Sequence, residues 1–341
     1  MAGDKENPSE EINSQKSWEI ARAYAAKVGE IPAAFTSSIR MLLVDQVKNN
    51  KKISVGNQTQ TALLLNSPSF KAMFYFAVKT FRDDELAAVT KVTRRTLPSL
   101  FEPLDLACIM GISFLFRRCR KKAAPDLFDP LVERTQRDVN IGGYLGDAIP
   151  KIGLGYGILV GGIRYLSEAA FMLHDPEGYR RYHNVREKKG VRFDLDLEVS
   201  RWGCTSLQVG SVLLQTLGFG IEFAESFVYG LDPRISDEAT TDPNVYRVKI
   251  SDIWITSLAT EGSAPNITHR GAYYPLENDL ETLLKLIQIE PLRGRPEAWL
   301  TKSKDELNEN SAPELFGAKR PQEEEDLDSG AMEEVVAALE E

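Results

Sequence analysis

The chain contains only three histidines, His174, His183 and His269, so metal or acid–base chemistry must use them or do without imidazole. His174 and Asp175 are adjacent, and an imidazole nitrogen beside a carboxylate oxygen is a donor pair able to hold a metal ion for phosphoester hydrolysis. With His183 and Asp252 they would form the donor set of a divergent metal-dependent phosphohydrolase. Pro176 follows directly, and a residue before proline is pushed out of helical geometry. The pair is therefore expected at a helix end, where His174 to Gly178 reads equally as a stop signal. No serine lies in a GxSxG elbow, and neither HExxH nor GxxxxGK[ST] occurs. The three cysteines, Cys108, Cys119 and Cys204, have no CxxC spacing, so they suggest neither a zinc cluster nor a disulfide framework and fit a reducing cytoplasm.

Two further groups could act on phosphates. Arg117, Arg118 and Arg120, with Lys121 and Lys122, follow the apolar run 112–116. They could grip a cyclic dinucleotide, or stand at a helix C-terminus, where cations offset the helix dipole. Gly153, Gly155 and Gly157 could form a dinucleotide turn, but that turn needs a strand before it, and the preceding residues read as helix or loop. Eight glycines between Gly142 and Gly162 instead permit close helix packing.

The elements that must carry these residues read as helices throughout. Apolar residues recur at helical spacing from about Trp18 to Lys122, including Leu86, Val89 and Val92 and then Leu97 and Leu100, with breaks at Pro98 and Pro103. The clearest element runs from Thr205 to Gly218: Thr205 and Gln208 make a capping box and Gly218 sits at the C-terminal turn. Residues 245–258 and 280–287 also keep helical spacing, and no series of alternating strands is found. The expectation is an all-α protein. Residues 1–17 are expected to be disordered, because nothing in them could bury enough surface to offset ordering.

Charge is unevenly placed. The formal net charge is -9, but residues 323–341 hold nine acids and no base, which leaves 41 acidic against 41 basic residues in the body. A neutral body argues against nucleic-acid binding, which needs cations to displace counterions. The longest apolar run, 152–163, is too short for a membrane span, which takes about 18 residues or more, and the first residues hold no apolar core of a signal peptide. In the acidic tail, Met332, Val335, Val336 and Leu339 fall at i, i+3, i+4 and i+7, one apolar stripe among glutamates. Such a helix is marginal alone in water and would dock either on its own body or on a protein partner with a basic rim around an apolar groove.

The stretch Leu173 to Leu231 resembles the HDOD domain, an all-helical relative of the HD phosphohydrolases found in bacterial signalling proteins. Glu198, Gly203, Ser206, Val209-Gly210 and Leu213-Leu214 are spaced like the family's Glu, Gly, His, Val-Gly and Leu-Leu. Gly161 to Leu166 is similar to its Ala-Gly-Leu-Leu-His-Asp, and Pro176 to Tyr179 follows at the family's interval. In this register the His-Asp pair falls on Tyr165 and Leu166, not on His174 and Asp175. Arg134 takes the place of the first histidine, Ser206 that of the histidine before Val-Gly, and Tyr229 one of the later paired histidines. Asp252 keeps a ligand-type aspartate. The resemblance extends over Leu97 to Leu292.

It implies a degenerate domain without metal, cofactor or catalysis: a signalling or scaffold protein that binds protein partners through its helical body and its acidic C-terminal helix. The expected organisation is a disordered segment 1–17, a helical part 18–96, the HDOD-like domain 97–312 and an acidic tail 313–341.

Overall fold

The computed structural model describes residues 8–267, 271–287, 298–303 and 305–307. They are all-α, as expected: fourteen α-helices and three short 3-10 turns, with no strand among the described residues. In chain order the helices are α1 (Pro8–Val28), α2 (Ala33–Lys48), α3 (Val55–Leu64), α4 (Pro68–Phe81), α5 (Asp83–Ala88), α6 (Pro103–Lys122), α7 (Pro125–Ala148), α8 (Leu154–His174), α9 (Pro176–Lys189), α10 (Leu195–Trp202), α11 (Ser206–Leu217), α12 (Ile221–Leu231), α13 (Pro243–Glu261) and α14 (Glu277–Ile287). Proline opens α4, α6, α7, α9 and α13, where its missing N–H and fixed φ suit the first turn.

Helix α8 is the axis of the fold. Every residue from Leu154 to Met172 is buried, because α1, α6, α7, α9, α11 and α13 all pack around it. Its closest neighbour is α7, and the reason lies in the glycines. A Cβ on Gly142 would stand 2.0 Å from the Gly157 carbonyl oxygen, one on Gly146 would stand 2.3 Å from that of Gly153, and one on Gly161 would stand 2.2 Å from that of Asp138. The contacts fall every fourth residue on both helices, so the two backbones touch along one antiparallel ridge. Gly153 opens α8 at φ +77° and is preceded by α7 and a short turn, not by a strand. The glycine-rich run is thus a packing surface.

The N-terminal helices belong to the same core. α1 begins at Pro8, ahead of the expected start near Trp18, and lies on α8 and α11. Gln208 Nε2 donates to Ser17 Oγ at 2.8 Å, and Thr36 Oγ1 donates to the Thr216 carbonyl at 3.0 Å. The helical spacing of Leu86, Val89 and Val92 is kept only in part, since α5 stops at Ala88 and turns lead on to Pro98. The capping box at Thr205 and Gln208 is present, with Gly218 left-handed at the other end of α11. Among the described residues no helix is long and apolar enough to cross a membrane.

Candidate functional site

Two charged residues, Arg164 and Glu168, interrupt the otherwise apolar α8, and Glu168 anchors a buried polar cluster. Glu168 accepts Arg186 Nη1 on both carboxylate oxygens, at 2.6 and 2.8 Å, and neither side chain is exposed. Tyr179 and Tyr182 donate to the same carboxylate at 3.3 and 3.2 Å. The Tyr182 hydroxyl also lies 2.9 Å from Glu198 Oε1, and the Ser206 N–H and Oγ reach Glu198 at 2.6 and 3.1 Å. Burial pushes the Glu198 carboxyl up to about 7, against the pull of Arg164 and with a push from Glu168. Ser206, expected at a former histidine position, is therefore a partner of Glu198 at the start of α11.

Arg164, one turn before Glu168, lays its guanidinium 3.8 Å from the centroid of Phe193, and the guanidinium carbons of Arg186 and Arg192 lie 5.8 and 5.5 Å from the same ring. Three cations thus share one aromatic ring, an arrangement in which the ring quadrupole offsets part of the cost of burying them. Beyond it lies the second cluster. Asp138 on α7, with no exposed side chain, accepts Tyr165 OH at 2.7 Å, Arg137 Nε at 3.0 Å and Arg192 Nη2. Arg192 Nη1 lies 4.0 Å from Asp252 Oδ1 and donates to Thr256 Oγ1, both on α13. Burial and the Asp138 charge raise the Tyr165 phenol above its usual range.

The positions singled out in the sequence divide accordingly. Tyr165 and Asp252 meet through Arg192. Leu166 is fully buried in the apolar core. Arg134 makes no hydrogen bond to either cluster; it pairs with Glu187 at 2.9 Å and lines a groove with Tyr179 and Arg186. Tyr229 is exposed in a shallow groove with Trp18, Arg22 and Val228. His174 ends α8 edge-on to Tyr24, and Asp175 caps α9 by accepting the Gly178 N–H at 2.8 Å, so that pair is a helix boundary. Arg117, Arg118 and Arg120 lie toward the end of α6. Arg118 rests on Phe114 and Arg120 reaches the Thr301 carbonyl. Met332, Val335, Val336, Leu339 and His269 lie outside the described residues.

The donor set at these positions does not suit a metal ion. Tyr165, Leu166, Ser206 and Arg134 offer no imidazole, the Asp138 carboxylate is taken up by three donors, and a guanidinium lies between it and Asp252. No group of three or more His, Cys, Asp or Glu side chains arranged to hold an ion occurs among the described residues. Asp138, Arg192, Arg164, Glu168 and Arg186 were not among the site residues read from the sequence. One signal was available: Arg164 and Glu168, at i and i+4, are the only charges in the apolar run 152–173, and charges on a helix buried all round need buried partners.

In comparison with known proteins, the chain matches no family model, no curated protein and no solved structure.

Proposed function

We propose that this chain is a non-catalytic, HDOD-like signalling or scaffold protein that works by binding other proteins through its helical body and its acidic C-terminal segment. The observation that carries the reading is the Asp138–Arg192–Asp252 cluster. A guanidinium fixed to the chain holds together two carboxylates from α7 and α13, supplying the positive charge that a metal would bring but offering no open coordination position for substrate or water. The replacement of histidines by Arg134, Tyr165, Ser206 and Tyr229 in the register of the resemblance supports the same reading. A cluster of this kind holds helices in place and activates nothing.

Two measurements test it. Metal analysis of the purified chain together with a phosphodiester hydrolysis assay should find neither stoichiometric transition metal nor turnover; both together would overturn the non-catalytic reading. Affinity capture from native cytosol, comparing the full chain with one ending at Arg320, should retain a defined protein on the full chain. If neither form retains one, the scaffold reading loses its support.

A further inference from the structure

The groove between α7 and α9 ends on a guanidinium with more donors than partners. Arg186 gives Nη1 to Glu168, while its Nε and Nη2 are buried without a hydrogen-bond partner. Buried donors are nearly always satisfied, and those that are not call for an explanation. Arg186 lines the groove together with Arg134 and His183, and Leu127, Pro130 and Leu131 form an apolar wall. The acids nearby are differently held. Glu168 is locked in the core, whereas Glu187 and Asp126, which pair with Arg134 and with Arg180, have half or more of their side chains exposed. Such exposed pairs contribute little and exchange readily.

The electrostatics agree. His183 is faced by Arg134 on α7, Glu168 on α8, and Arg186 and Glu187 on α9. Burial lowers its pKa, and Arg186 and Arg134 lower it further against the two carboxylates, so the field in the groove is positive.

We propose that the α7–α9 groove binds a phosphate monoester: a tetrahedral oxyanion held by Arg134 and His183 above Arg186, with the ester group against Leu127, Pro130 and Leu131. The two donors of Arg186 are closed to water, so the anion reaches them only as a lining side chain moves aside. This assignment is independent of the scaffold reading.

The test uses the full chain and its histidine ring resonances, few enough to resolve by NMR. Titration with inorganic phosphate and with phenyl phosphate, at ionic strength held constant with chloride, should shift the His183 signals saturably and leave His174 unmoved. The His183 titration midpoint should rise by roughly one unit with bound anion. Phenyl phosphate should bind about tenfold more tightly than inorganic phosphate, since a buried ring adds apolar contact. Arg134→Gln, which removes a partly exposed ion pair and one cation facing His183, should weaken both at least tenfold with the fold intact by circular dichroism. A His183 signal that ignores both anions, or that moves together with His174, overturns the site. Unchanged affinity in Arg134→Gln overturns the assigned contacts, and equal affinity for the two anions overturns the ester assignment.

Discussion

Glu168 and Arg186 form a two-pronged ion pair, 2.6 and 2.8 Å long, between α8 and α9, with no part of either side chain exposed. Taking two charges out of water is costly, and what keeps the pair favourable is that Tyr179 and Tyr182 complete the carboxylate's hydrogen bonding. Removing one member strands the other. Arg186→Met should destabilise the chain by about 3–5 kcal/mol in denaturant unfolding. Arg186→Met combined with Glu168→Gln should be less damaging than the single change, because no unpaired charge is then left in the core. A double variant no more stable than Arg186→Met alone would show that the pair is not coupled.

The Glu198 carboxyl, raised from 4.5 to about 7 by burial, makes stability fall as pH rises. The folded chain holds this proton up to neutrality and the unfolded chain releases it near 4.5, so the contribution is complete below 4.5 and is lost as pH passes 7. Between pH 5 and pH 8 the loss amounts to about 2–3 kcal/mol for one such group. Glu198→Gln has no proton to lose, so its stability relative to the parent should improve by that amount from pH 5 to pH 8. A difference constant with pH would contradict a buried carboxylic acid at this position.

The α7–α8 ridge tolerates no side chain. Gly142→Ala places a methyl group 2.0 Å from the Gly157 carbonyl oxygen, so the two backbones must separate. The expected loss is at least about 3 kcal/mol, larger than a usual small-to-large substitution because the clash is with backbone. Gly56→Ala on α3 meets nothing within 4 Å and should be neutral or stabilise by up to about 1 kcal/mol through helix propensity. Thermal melts of the two variants side by side check both.

The three thiols are silent in the folded chain. Cys108, Cys119 and Cys204 are all buried, and burial pushes the Cys119 and Cys204 thiols up to about 12 and raises that of Cys108 as well. The thiolate is the reactive form. An aromatic disulfide reagent at pH 8 should therefore label none of them until denaturant is added, and all three afterwards. Labelling of any one under native conditions would show that its pocket opens.

Helix existence and helix ends were the legible part. Local rules cover them: Thr205, Gln208 and Gly218 bracket α11 as expected, and Pro176 ends α8 through the geometry it imposes on Asp175. The glycine stretch was also readable as packing, since Gly142 and Gly146 on one helix and Gly153, Gly157 and Gly161 on the next repeat every fourth residue. The polar interior was not, because its members come from separate segments: Asp138 from α7, Arg192 from the turn after α9, Asp252 from α13. Arg192 in particular follows the surface charges Glu187, Lys188 and Lys189, and nothing local marks it as the partner of a residue 54 positions earlier. The start of α1 escaped for a related reason. Its early residues are polar, and α1 is held by packing on α8 and α11, not by any strong preference of its own.

That last arrangement fixes an order of events during synthesis. Ser17 finds its partner Gln208 only after 191 further residues have been added, on the order of 10–40 s at ordinary elongation rates. Ala21, Ala25 and Val28, which end buried, stand on a nascent helix whose neighbours α6, α8 and α11 are added one after another, α11 last. A segment made before α11 is thus seated only after it, and a chaperone that recognises emerging apolar stripes has a long opportunity there.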